Sequence, residues 1–144
     1  MSGRGPRNLS GRKAPSMIVD VHTHVWDRLE QLGPVAAERV RRSAPAPWEQ
    51  PEASVNALDE AMRPVGHVLI HGFESRAMEA AVSIEPIARF VRRRPGKYLG
   101  VAGIDPLAGG YADRLAEAAA RRLVGVTVCP AGAGFHVGQQ RQLL

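Results

Sequence analysis

One stretch constrains this chain more than any other: Met17–Asp27, which reads Met-Ile-Val-Asp-Val-His-Thr-His-Val-Trp-Asp. β-branched residues dominate it, and it emerges directly from a polar, Gly/Pro-rich leader, as a buried strand does. Side chains alternate faces along a strand. Ile18, Asp20, His22 and His24 are therefore expected on one face, with Val19, Val21, Thr23 and Val25 on the other, turned toward covering helices. The first face carries two imidazoles about 7 Å apart along the backbone at the strand's carboxyl end. Two neutral imidazoles so placed can bind one divalent metal. The alternative is a core strand with two hydrogen-bonded histidines, although consecutive polar residues inside an apolar strand are costly unless something satisfies them.

Downstream, four strand-like segments alternate with helical ones. A long connection, about Asp27 to Ala53, follows the first strand. It holds a helical segment at Pro34–Arg42 and the extended Ser43-Ala-Pro-Ala-Pro-Trp48. Connections of this length are often functional, and this one would overhang the histidines as a lid or wall. Ser54–Met62 reads as a helix that stops at Pro64, and Gly66–Phe73 as a second strand with His67, Leu69 and His71 on one face. The spacing of Ile84, Ile87, Ala88 and Val91 predicts a helix over Ala77–Arg94, with Pro86 starting a new turn or kinking it. A third strand is expected at Tyr98–Ile104, with Gly100, Ala102 and Ile104 inward, and a helix at Tyr111–Leu123 with Tyr111, Leu115, Ala118 and Ala119 on one face. The fourth strand is Gly125–Cys129, with Val126 and Val128 toward the helices and Thr127 and Cys129 on the other side. A Gly-rich loop, Pro130–Gly138, and the start of another helix at Gln139–Leu144 complete the chain. Such alternation argues for a parallel sheet with right-handed crossovers, either doubly wound or part of a (β/α)8 barrel.

The His-x-His within Ile18-Val-Asp-Val-His-Thr-His24 resembles the first strand of the amidohydrolase superfamily of metal-dependent hydrolases. The likeness is to the amidohydrolase-related branch, which includes decarboxylases of the aminocarboxymuconate-semialdehyde type. Ile87-Ala-Arg-Phe-Val with Arg94-Pro-Gly, Tyr98-Leu-Gly-Val-Ala-Gly-Ile-Asp-Pro and Val124-Gly-Val-Thr-Val-Cys-Pro resemble that branch at matching positions. The resemblance covers nearly everything after Ser16. It implies an α/β fold, the N-terminal half of a (β/α)8 (TIM-like) barrel with about four parallel strands. It further implies His22 and His24 as ligands of one divalent metal, with zinc preferred. Asp20, His71 and Trp26 would stand behind the ligands or line the pocket. The implied chemistry is hydrolysis or decarboxylation of a small organic acid, ester or amide through a metal-activated water.

Two departures qualify this. A complete barrel needs about 250 residues, whereas the 144-residue chain less its 16-residue leader leaves 128. The family's later histidine and aspartate ligands would fall beyond Leu144, and His136 comes too early to stand for the former. The chain thus reads as an N-terminal half whose own enzymatic activity is open. Many superfamily members also carry a carboxylated lysine on the fourth strand. Here Thr127 and Cys129 occupy the inward positions, and Lys13 and Lys97 are the only lysines, which points to a single-metal site. Cys129 reads better as a small buried thiol than as a ligand.

The net charge of +5 invites a nucleic-acid partner, but Arg4, Arg7, Arg12 and Lys13 all lie in residues 1–16. Without those four, 15 basic residues face 14 acidic ones. That leader reads as a disordered basic tail or a misassigned start, and the alternative is a weak polyanion contact. Arg92–Arg94 suit the carboxyl end of a helix. No apolar run reaches the roughly 18 residues that span a bilayer. One cysteine excludes an internal disulfide and suits a reducing cytoplasm. The reading is therefore a 17–144 partial hydrolase domain that takes a small-molecule substrate when completed and self-associates through exposed sheet edges. Its rivals are a non-catalytic metal-binding or interaction module, and a nucleic-acid binder whose salt-dependent binding would vanish with residues 1–16.

Overall fold

The computed structural model describes residues 17–44, 53–82, 84–136 and 138. Trp48 and the helix expected at Gln139–Leu144 lie outside the described residues. Among the described residues, the sheet has four parallel strands in the order β1 (Val19–His24), β2 (His67–His71), β5 (Tyr98–Gly103) and β6 (Gly125–Thr127). Each strand pairs with its successor in the sheet, so the winding never reverses. A doubly wound sheet reverses at a switch point; unbroken succession is the order of strands in one half of a (β/α)8 barrel.

The connection after β1 begins with a 3₁₀ turn, Leu29–Leu32, in which the Gln31 side chain accepts from the backbone amides of Asp27 and Arg28. Helix α1 (Gly33–Ser43) follows, close to the expected Pro34–Arg42. Gly33 adopts φ +76°, and a Cβ there would lie 2.0 Å from the Met78 carbonyl oxygen, so only glycine lets α1 start here. Helix α2 (Val55–Ala61) is capped by the Ser54 hydroxyl, which accepts from the Ala57 amide at 3.3 Å.

The helix expected over Ala77–Arg94 forms only in its second half, as α3 (Ile84–Arg93). The first half belongs to an antiparallel hairpin, β3 (Phe73–Ser75) with β4 (Ala80–Val82). Residues 77–81 have good helix propensity, but packing overrides it. Ala80 and Val82 are buried while Ala81 is exposed, a period of two. Ser75, 1% exposed, donates to the Gly132 carbonyl and accepts from the Met78 amide, which folds the turn back. Pro86 sits in the first turn of α3, where a missing N–H costs nothing.

The core lies between the sheet and its helices: Val68, Ile70 and Ile87 are fully buried, with Phe90, Tyr98 and Val25 around them. Helix α3 packs so tightly on β5 that a Cβ on Gly100 would lie 2.7–2.9 Å from Leu123, Ile87 and Val91. Gly100 and Ala102 thus face the helices. Ala102 and Ile104 join a second core cluster with Ile84 and Ala118. This corrects the expectation that they point inward: the inward positions of β5 are Leu99, Val101 and Gly103, in register with Leu69, His71 and Thr127 respectively.

Helix α4 (Tyr111–Ala120) buries only Ala118 of its expected stripe; Tyr111 and Leu115 are 43% and 40% exposed. β6 is shorter than expected, and Val126 and Val128 are 47% and 40% exposed rather than covered. The expected loop after it contains a short helix, α5 (Pro130–Ala133). Among the described residues, no helix is long and apolar enough to cross a membrane.

Candidate metal centre

The histidine face arises from an irregularity that strand periodicity conceals. β1 pairs with β2 as Asp20 with Val68 and Thr23 with Ile70, so Val21 and His22 together oppose the single residue Leu69. This bulge re-aims the strand. Before it, Val19 matches His67 on the inward face and Asp20 matches the helix-facing Val68. After it, Thr23 matches the helix-facing Ile70 and His24 matches His71. Strict alternation from Ile18 to Val25 therefore does not hold. Thr23 and Val25 are buried as expected, whereas Val19 and Val21 are 43% and 65% exposed.

His22 and His24 nonetheless meet. Their Nε2 atoms are 3.1 Å apart and their ring centroids 4.9 Å. The His71 ring joins them from β2, stacked on His22 with centroids 4.8 Å apart and planes 21° apart. His24 Nδ1 lies 3.0 Å from the His71 carbonyl oxygen, which can only accept, so this nitrogen carries the proton. Its Nε2 is then the lone-pair nitrogen, and His22 Nε2–H donates to it. Burial holds the His24 pKa below the usual histidine value; the bond to the His71 carbonyl works against this, and the His22 and His71 rings add to it. His24 is thus held neutral, the form that ligates metal.

His71 has no free nitrogen. Its Nε2 donates to the Val21 carbonyl at 3.1 Å, and its Nδ1 accepts from the Thr127 hydroxyl at 2.7 Å. Asp20 stands elsewhere: its carboxylate accepts the His22 backbone amide at 2.9 Å and sits at a helix-facing register position, so it braces the bulge rather than an imidazole. Trp26 packs against the core cluster around Val25, Leu29 and Ile70. Cys129 is half-buried, its sulfur against Gly132, and His136 is exposed with Nδ1 accepting from the Gly138 amide. The Thr127–His71 contact was not expected, although the inward direction of both residues was legible.

Two donors each about 2.0–2.1 Å from one ion lie roughly 3–3.5 Å apart, so the His22 and His24 Nε2 atoms fit two positions on a single divalent metal. The proton they now share occupies the place the metal would take. Among the described residues, no group of three or more His, Cys, Asp or Glu side chains is arranged to hold a metal.

No family model matches this chain, and no curated protein matches it. Among solved structures, it is similar to a probable 2-pyrone-4,6-dicarboxylic acid hydrolase from Acinetobacter baumannii, crystallised with citric acid bound. The identity is 15% and the TM-score 0.48, over 77% of this chain. The chain spans 37% of that protein's length.

Proposed function

We propose that this chain carries the N-terminal part of the site of a metal-dependent hydrolase of the amidohydrolase superfamily, in its amidohydrolase-related branch. The observation that carries the reading is the convergence of His22 Nε2 and His24 Nε2 at 3.1 Å with the His24 tautomer fixed by the His71 carbonyl. His22 and His24 would hold one divalent ion, zinc by preference. Bound there, the ion supplies Lewis-acid activation of water, suited to hydrolysis or decarboxylation of a small organic acid, ester or amide. His24 presents a neutral, oriented lone pair; the His71 carbonyl locks it in place by accepting its one N–H, at Nδ1, an outer contact that fixes ring orientation.

Two imidazoles are fewer than the three or four protein ligands such sites use. Zn²⁺ is therefore expected to bind the chain weakly. Calorimetry should show binding in the wild type that is lost in His22→Ala and in His24→Ala; no binding in the wild type overturns the site. Nanomolar affinity would mean further ligands, and Cys129 would be the first to test. The same shortage favours a second reading, a non-catalytic metal-binding module. Metal-dependent turnover of an ester, amide or carboxylate panel by this chain alone would reject that second reading.

A further inference from the structure

The residue that touches both histidines, His71, belongs to neither the expected ligand pair nor their strand. We propose that Thr127, acting through His71, is the positioning residue of the His22/His24 pair, so that a contact reaching the fourth strand sets the affinity for metal. The inference rests on the proposed metal site and adds to it how that site is held.

His71 engages the pair in three ways. Its carbonyl accepts from His24 Nδ1, its ring stacks on His22, and its Nε2 donates to the Val21 carbonyl, the group just before His22 in the bulge. The last bond exists only while the proton sits on Nε2. A neutral imidazole carries one N–H, so the proton is on Nε2 only if Nδ1 is an acceptor. The Thr127 hydroxyl, 2.7 Å away, is the donor that makes it one. Without it, the other tautomer becomes competitive, the Val21 bond is lost, and the ring no longer pins His22.

His71 is on β2 and Thr127 on β6, so the bond passes over β5. The β5 residue in register with Thr127 is Gly103, which has no side chain. A Cβ there would also lie 2.4 Å from the Phe73 amide, so the position is closed to other residues.

Zn²⁺ titration against a chromophoric chelator tests this on the full chain. Thr127→Val, nearly the same shape without a hydroxyl, should weaken binding about 10–100-fold, as loss of an outer contact does. Thr127→Ser should restore most of the affinity. His71→Phe should weaken binding as much, and Thr127→Val should add nothing in that background. In the metal-free wild type, long-range ¹H–¹⁵N spectra should show His71 with its proton on Nε2, and Thr127→Val should shift it toward the other tautomer. A general loss of packing would not produce that tautomer change or the rescue by serine. Wild-type affinity in Thr127→Val, or an undiminished Thr127→Val effect in the His71→Phe background, overturns the inference while leaving the metal site standing. A wild type that binds no Zn²⁺ overturns both.

Discussion

At Gly100 the side chains of Leu123, Ile87 and Val91 leave no room for a further carbon: a Cβ would lie within 2.7–2.9 Å of all three. Gly100→Val is accordingly expected to cost about 1–3 kcal/mol through overpacking, read as a lower denaturant midpoint with an unchanged slope. A midpoint equal to wild type would show that α3 can slide away from β5. Two residues before it, Tyr98 is 1% exposed and its hydroxyl donates to Asp59. Burial, then the bond to Asp59 and that carboxylate's charge, push its pKa well above the tyrosine range. The unfolded chain thus loses this proton from about pH 10 while the folded chain keeps it. Fewer protons on the unfolded state mean that stability falls as pH rises above 10. Tyr98→Phe should flatten this alkaline decline; an unchanged slope would assign it to other groups.

Among the elements, β1 does the most for the site, and it does so by being irregular. The bulge at Val21–His22 lets His22 and His24 share a face with His71 while Asp20 takes a helix-facing position and Thr23 and Val25 reach the core. Deleting Val21 removes the extra residue, so the segment before His22 must slip or turn over. It also removes the carbonyl that His71 Nε2 holds. Zn²⁺ affinity should fall more than in Thr127→Val, with a clear loss in the thermal midpoint. Helix α2 depends on its cap: Ser54→Ala should cost about 0.5–2 kcal/mol, measured by the same denaturant curves.

On the scale of the molecule, the sheet has two edges, since among the described residues β1 pairs only with β2 and β6 only with β5. Met17, Ile18, Val19 and Val21 flank one edge, and Val124, Val126 and Val128 the other, all at least 40% exposed. Parallel sheets are normally covered on both faces, and open edges invite pairing with another chain. The expected outcome for the isolated chain is self-association, observed by size-exclusion chromatography with light scattering. Val124→Lys with Val126→Lys should shift the population toward monomer. A well-behaved wild-type monomer would show that the exposed rows are tolerated in water.

Four parallel strands, the helices between them and the meeting of His22 with His24 were legible because they rest on local information: β-branched runs, helical spacing, and Pro and Gly stops. The half-helix at residues 77–82 was not legible, because its residues favour helix and only the seat of Ser75 against Gly132 makes them a hairpin. Nor was the inward face of β5, which turns on how closely α3 approaches Gly100. The bulge adds one residue to a strand whose composition gives no sign of it, so Asp20 could not be told from a residue beneath the histidines. A chain's own pattern determines where it extends or coils. Which groups meet across strands 47 to 56 residues apart, as the His24 ring and the His71 carbonyl do and as the His71 and Thr127 side chains do, is decided only when register and packing bring those strands together.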